Sequence, residues 1–208
     1  MSINMTSKHI NSVFIANTRS TAFRLLGLAF VSLFFVGCSS SSQPLSYYLL
    51  HDTSTTPPAT TSTPSVAILN KIVLPDYLKQ RGLVVQTSET GIHIASEHFW
   101  AEPVEEGLTK SLRDALRHQN VDLITHAMGA EDVNGYITLR IDDFIATYNG
   151  DIILRGEFFI KFIDETNVSD HFYITLPLSS DGFEASVKTM RHAIGQLAVE
   201  IAANMDRS

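Results

Sequence analysis

The chain has 208 residues, of which 44% are hydrophobic and 18% are charged, so it is long enough to bury the core of one domain. Its formal net charge is −7, and it has no long basic run. An acidic chain without a basic stripe is a poor binder of nucleic acid, so DNA and RNA are excluded as expected partners.

The N-terminal segment differs from the rest because it combines a few basic residues with no acid and then an apolar run of 12 residues, Leu25 to Val36. A membrane-spanning helix needs roughly 20 apolar residues, so this run is too short to span. A basic stretch before a short apolar run is typical of a secretory signal peptide. We therefore predict a signal peptide over residues 1–37, with translation beginning at Met1 or Met5.

The single cysteine of the chain, Cys38, stands directly after this run in "FFVGCSSSSQ". The segment resembles the lipobox of bacterial lipoproteins, in which the chain is cut just before a cysteine whose thiol is acylated. Phe35 departs from the usual leucine but is still bulky and apolar. The alternative, an ordinary buried cysteine, is disfavoured by a position at the end of a signal peptide. Acylation of Cys38 leaves no cysteine for a disulfide or a catalytic thiol.

The first half of the mature chain alternates short strands with turns. After a lipidated tether, residues 38–45, "LSYYLL" predicts a strand and the Ser/Thr/Pro-rich residues 52–64 predict a solvated loop. "SVAILNKIVLP" predicts a second strand, and "LVVQTS" with "GIHIAS" predicts a hairpin. Pro103 is well placed to start a helix, which would carry an i,i+4 pair of Glu106 with Lys110. "VDLIT" follows as another strand.

The second half carries the strongest strand pattern, "YITLRIDDFIATYNGDIILRGEFFIKFIDE". Its apolar phase shifts near Asp142–Asp143, which predicts a bulge there, and Asn149–Gly150 predicts a type I′ turn. The expected inward residues are Ile137, Leu139, Ile141, Phe144, Ala146, Tyr148, Ile152, Leu154, Phe158, Ile160 and Phe162. "HFYITLP" adds a strand, and an apolar stripe capped by Asp181 and Glu184 predicts a final helix.

These elements predict an α+β fold: a single compact domain, residues 46–208, in which two main helices pack on a mostly antiparallel sheet. No motif of a serine hydrolase, a phosphate-binding loop, a zinc protease or a thiol redox site is present. The adjacent carboxylates of Asp142 and Asp143 would face opposite ways in a strand, so they do not form an acid–base pair. We therefore predict no catalytic residue, no metal site and no cofactor.

Trp100, the only tryptophan, lies in "LPDYLKQRGLVVQTSETGIHIASEHFWAEP". It either fills the core beneath the following helix or contributes to a partner-binding surface, since tryptophan is enriched at binding hot spots. The core interpretation is the favoured one. The surface interpretation would unite the following residues: Tyr77, Leu78, Phe99, Trp100, Glu102 and Pro103.

This segment, with "YYLL", "ITLRIDDF" and "DGFEASVKTMRHAIGQLAVEIA", resembles the PqiC/YmbA family of ABC-type transport auxiliary lipoproteins. "LKQRG" departs from the Asp-Arg-Pro that many members carry before the strand. The resemblance implies a non-enzymatic lipoprotein of intermembrane lipid transport that supports envelope integrity. It also implies a compact α/β domain whose helices pack on a mostly antiparallel sheet.

The implied partners are an MCE-domain (PqiB-like) membrane protein and the lipid bilayer, reached through acylated Cys38, and a homo-oligomer is left open. Ser39, where retained lipoproteins carry Asp, favours the periplasmic face of the outer membrane. Two alternatives remain: an outer-membrane assembly factor and a glycan binder. A lipoprotein hydrolase is a weaker third, and neighbouring genes would discriminate among them.

Overall fold

A computed structural model describes residues 44–53, 63–125 and 132–206; Cys38, the predicted signal peptide and most of the Ser/Thr/Pro loop lie outside the described residues. The elements, in chain order, are β1 (Ser46–Tyr48), β2 (Ser65–Val73), a 3-10 turn (Asp76–Lys79), β3 (Gly82–Gln86), β4 (Ile92–Trp100), α1 (Val104–Arg117), β5 (Val121–Ile124), β6 (Val133–Ala146), β7 (Asp151–Phe162), β8 (Asn167–Pro177) and α2 (Phe183–Met205). No helix in these described ranges has the length and apolarity needed to cross a membrane.

The eight strands form one sheet that is organised around the long strand β6. On one side β6 pairs antiparallel with β7, which pairs antiparallel with β8. On its other side β6 pairs parallel with β2 and, near its end, with β3 through Ala146 and Val85. β5 lies beyond β2, while β4 and then β1 lie beyond β3. The predicted α+β fold is confirmed, with its longest ladders antiparallel; the parallel pairs join strands that are distant in the chain.

The core lies between one face of this sheet and the two helices. The predicted bulge is confirmed, because the register of β6 against β7 shifts between Ile141 and Asp143. The shift keeps the inward side apolar along both halves of β6. The alternation predicted for β7 is confirmed as well. The helical residues that complete the core include Val104, Leu108, Leu112, Leu116, Val187, Met190, Ile194, Leu197 and Ile201.

The turn between β6 and β7 differs from the predicted type I′ form. That form needs a positive φ at both central residues, but Gly150 has φ of 85° while Asn149 is not among the described non-glycine residues with positive φ. Thr147 closes the turn instead, donating its N–H to the Asp151 carbonyl at 2.7 Å and accepting from the Gly150 N–H at 3.2 Å. Tyr148 therefore lies exposed in the turn, and its predicted inward position is wrong.

Two local predictions about the helices are also wrong. The N-cap of α2 is Gly182, not Asp181, because the chain enters the helix with a φ of 106° that glycine tolerates. Glu184 pairs with Lys188 at 2.7 Å. In α1, which begins after Pro103, Lys110 binds Glu102 in place of Glu106. Glu102 precedes the helix and folds back over its first turns, and it is less exposed than Lys110.

Candidate partner-binding cleft

A cleft of about 540 Å³ lies between the 3-10 turn and the start of α1. Its apolar lining consists of buried side chains, namely Leu74, Leu78, Trp100 and Val104. One rim carries Lys79, Gln80 and Arg81, and the other runs from Ala101 to Glu105. The cleft is therefore apolar inside, and both basic and acidic groups belong to its lining.

Backbone hydrogen bonds hold the two walls in place. Pro75 lies just after β2, and its carbonyl accepts from the Leu78 N–H at 3.1 Å to form the 3-10 turn. The Trp100 N–H donates to the Arg81 carbonyl at 2.9 Å, and the Ala101 N–H donates to the Tyr48 carbonyl at 2.9 Å. The cleft is thus fixed by β1, β3 and β4 together, and substitutions of rim side chains leave these bonds intact.

Strand β4 continues to Trp100, beyond the predicted strand "GIHIAS". Because side chains alternate along a strand, neighbours Phe99 and Trp100 point to opposite faces. Trp100 is 5% exposed and belongs to the main core, as the core interpretation predicts. It also lines the cleft, so this one side chain belongs both to the core and to the candidate binding surface. Phe99 instead lies beside Tyr47 on the other face of the sheet.

Tyr77 also lies outside the cleft. Its hydroxyl accepts from the Phe144 N–H at 3.0 Å and donates to Oδ1 of Asp143 at 3.3 Å. Burial raises the pKa of Tyr77 to about 12, and the negative charge of Asp143 acts in the same direction. The hydroxyl therefore links the 3-10 turn to the bulge of β6. The structure brings Leu78, Trp100, Glu102 and Pro103 together and leaves Tyr77 and Phe99 apart from them.

A small buried network supports the acidic wall. The Glu102 side chain is 17% exposed, and its Oε1 lies 3.0 Å from Nδ1 of His51. Both atoms are buried, and although they lie close together, neither meets the geometry of a hydrogen bond with any described residue. The second carboxylate oxygen accepts from Nζ of Lys110. His51 could not be assigned from the sequence, because it meets Glu102 only after the chain that follows β1 packs beside the start of α1. Lys110 was assigned to Glu106 in the same helix, whereas it reaches back to Glu102.

Arg191 fixes the segment that carries His51. Its guanidinium donates to the carbonyl of Leu49 at 2.9 Å and to that of Leu50 at 3.2 Å, which joins α2 to the chain after β1. Gly107 lets α1 approach closely, since a Cβ there would lie 3.1 Å from Leu50 Cβ. The cleft therefore belongs to a wall in which β1, α1 and α2 all participate.

The chemistry of the cleft suits binding. Its lining includes no serine, cysteine or histidine that could act as a nucleophile or base. Within the described parts of the chain, no group of three or more His, Cys, Asp or Glu residues is arranged to hold a metal ion. An apolar side chain could enter the cleft while charged neighbours meet the two rims.

The family model for the ABC-type transport auxiliary lipoprotein component matches residues 47–202. The chain belongs to this family. The resemblance drawn from the segment around Trp100 is thereby confirmed, and the family is one of transport components rather than of enzymes. The intermembrane transport lipoprotein PqiC of Escherichia coli strain K12 is 25% identical over 177 residues, which cover 85% of this chain and 94% of that protein. PqiC of Shigella flexneri gives the same values.

Solved structures share the fold. One crystal structure, described only as an uncharacterized protein, has a TM-score of 0.65 at 22% identity and covers 78% of this chain and 99% of its own. A protein from Xanthomonas campestris has a TM-score of 0.52 at 14% identity, with coverage of 71% and 92%. At these identities the likeness concerns the fold alone.

Proposed function

We propose that this protein is the outer-membrane lipoprotein subunit of an MCE-type intermembrane lipid transport system. Signal peptide 1–37 is removed, the acylated Cys38 and tether 38–45 hold domain 46–208 on the periplasmic face, and the domain binds an MCE-domain (PqiB-like) membrane protein. Support comes from the family match over residues 47–202 and from the 25% identity to intermembrane transport lipoproteins. The protein acts as a binding and assembly component that supports envelope integrity, without a cofactor.

The observation that carries the binding role is the cleft at the segment Leu78, Trp100, Glu102 and Pro103. Its lining carries the basic residues Lys79 and Arg81 from one segment and the acidic residues Glu102 and Glu105 from another, and two of these already have ionic partners, since Lys79 pairs with Asp76 and Glu102 with Lys110. A matching partner would insert an apolar side chain and place an acidic residue on one flank and a basic residue on the other. Such charge complementarity fixes the register of a partner more than it adds raw affinity.

The anchor is tested by replacing Cys38 with Ser. The variant should remain as unprocessed precursor and take up no labelled fatty acid, whereas the wild-type protein is labelled and fractionates with the outer membrane. Bacterial lipoproteins of the kind it resembles carry three acyl chains, more than the two signals that stable anchoring needs, so high salt should not release the wild type. A Cys38→Ser protein that is still labelled and still in the outer membrane fraction would show that the lipobox interpretation is wrong.

The binding role is tested by filling the cleft. Ala101→Phe places a ring in the opening and leaves the backbone bond of Ala101 to Tyr48 intact. The matched control is Ala203→Phe, because Ala203 is also an exposed alanine but belongs to α2. Purification from solubilised membranes should recover the MCE-domain protein with the wild type and the control but not with Ala101→Phe. Equal recovery with both variants would contradict the proposal that the cleft binds this partner. Recovery of assembly factors or glycan alone would favour the alternative functions.

A further inference from the structure

A second apolar surface lies at the β1 edge of the sheet and shares one residue, Arg81, with the rim of the cleft. We call Leu45, Tyr47, Arg81 and Phe99 the edge patch. The rings of Tyr47 and Phe99 lie 5.8 Å apart, and the guanidinium carbon of Arg81 is 5.9 Å from each ring centroid. Leu45 and Tyr47 are 55% and 53% exposed, although both are large and apolar or aromatic. Such a cluster at a sheet edge is typical of an interaction surface.

The register of β1 against β4 explains why the patch is open. Tyr47 is paired with Phe99, and Tyr48 is paired with Trp100. Alternation sends Tyr48 and Trp100 toward the helices and sends Tyr47 and Phe99 to the helix-free face. Within the described residues, β1 pairs only with β4, so its outer edge and this face are uncovered.

The position of the patch in the chain indicates what covers it. Leu45 follows Cys38 by so few residues that a fully extended tether spans at most about 25 Å, at roughly 3.6 Å per residue. If Cys38 is acylated, the edge patch is therefore always near the bilayer surface. The remainder of the helix-free face carries exposed aromatic side chains, Tyr136, Phe159 and Tyr173, but it also carries ion pairs, with Arg140 3.2 Å from Glu157 and Arg155 bound to Asp143. Desolvating those ions is costly, so an apolar contact is confined to the β1 edge.

We infer that the edge patch rests in the headgroup–acyl boundary of the membrane to which the lipoprotein is anchored. Tyrosine is enriched at this depth because its ring is apolar and its hydroxyl is polar. Arg81 can keep its charge among the phosphates while its stem covers apolar surface. This inference rests on the proposed acylation of Cys38 but not on the MCE-domain partner.

The test uses the full acylated protein, because acylation of Cys38 leaves an introduced cysteine as the only free thiol. Tyr47→Cys is labelled with an environment-sensitive fluorophore. Tyr173→Cys is the matched control, since Tyr173 is a 67% exposed tyrosine on β8, at the opposite edge of the sheet. Both are placed on vesicles of phosphatidylethanolamine and phosphatidylglycerol in which some lipids carry a quencher near the top of the acyl chain. Flotation of the vesicles confirms that each protein is anchored.

The label at position 47 should lose much of its emission and shift to the blue, while the label at 173 changes little. Leu45→Asp, added to the Tyr47→Cys protein, should reduce that quenching without changing the melting temperature, because Leu45 is exposed. Equal quenching at both positions, or none at 47 in protein that floats, would overturn the edge patch as a membrane contact and leave it free for a protein partner. Failure to float would overturn the anchor, and the inference with it.

Discussion

The carboxylate of Glu102 lies 3.0 Å from the imidazole Nδ1 of His51 and also accepts from Lys110. This contact joins the chain after β1 to the start of α1, and Glu102 forms part of the cleft wall. The cleft therefore depends on an ionic contact that is mostly withdrawn from water. Removing one partner of such a contact costs more than removing a surface ion pair.

We expect Glu102→Ala to lower the free energy of unfolding by about 2 kcal/mol, since His51 and Lys110 lose a shared charged partner. Glu105→Ala is the control, because Glu105 is exposed in the first turn of α1 and contributes no more than ~1 kcal/mol through the helix dipole. Urea denaturation of both variants measures the difference. Equal costs for the two substitutions would show that the buried network does not stabilise the wall.

Trp100→Ala should lower the free energy of unfolding by about 3–5 kcal/mol, because it leaves a cavity in the main core. Phe99→Ala is the matched control and should cost about 1 kcal/mol, since Phe99 is only half-buried. Thermal melting of the two purified variants checks the ranking. A Trp100→Ala domain that melts like the wild type but fails to capture its partner would replace the core role with a purely docking one.

The stability of the domain should fall at alkaline pH because of Tyr77. Its pKa is 10.0 in an unperturbed chain and about 12 in the fold, so the fold favours the protonated phenol. That contribution is complete below pH 10 and is lost as the pH rises through 12. Tyr77 is partly exposed, so we expect a loss of about 1–2 kcal/mol rather than the full value of the shift.

Tyr77→Phe provides the control for this pH dependence, because other tyrosines and the lysines titrate in the same range. The variant should be less stable than the wild type at neutral pH, since the Phe144 N–H and Asp143 lose their hydroxyl partner. Its unfolding free energy should then fall less steeply with pH. Parallel curves for the two proteins would show that Tyr77 does not carry the alkaline loss.

Replacing Gly156 or Gly195 with alanine should change the free energy of unfolding in opposite directions. A Cβ at Gly156 would lie 2.0 Å from the carbonyl oxygen of Arg140, so Gly156→Ala forces the β6–β7 ladder apart and should cost about 3 kcal/mol. A Cβ at Gly195 in α2 meets nothing within 4 Å. Gly195→Ala should therefore stabilise the domain by about 0.5–1 kcal/mol. Denaturant midpoints measure both, and a tolerated Gly156→Ala would contradict the described register.

The β6–β7 hairpin could be predicted because all of its signals are local. Alternation fixes which face is buried, and the change of phase at Asp142–Asp143 marks the bulge. The Asn149–Gly150 pair correctly indicated a turn but gave the wrong type, because Thr147 and Asp151 bonds decide the conformation. Local patterns thus identified strands and their buried faces more reliably than they identified the geometry of caps and turns.

The cleft could be predicted only in part. Leu78 and Trp100 were assigned to one candidate surface because tryptophan is enriched at binding hot spots, and the structure places both in the cleft lining. Phe99 was assigned with them because it is adjacent in sequence, although extending the alternation of β4 by a few residues would have separated it from Trp100. The parallel pairing of β1 with β4 depends on contacts between distant segments, so the sequence contains no local signal for it.

The proposed docking role of the cleft is tested most directly by identifying the protein that contacts the cleft in intact membranes. A photoreactive amino acid at Gln80, an exposed residue of the cleft rim, should crosslink to an MCE-domain membrane protein. The same group at Gln196, an exposed glutamine of α2, should give no such product. If Gln80 yields no MCE-domain crosslink while the protein is anchored and folded, or if Gln196 yields the same product, the cleft is not the docking site that we propose.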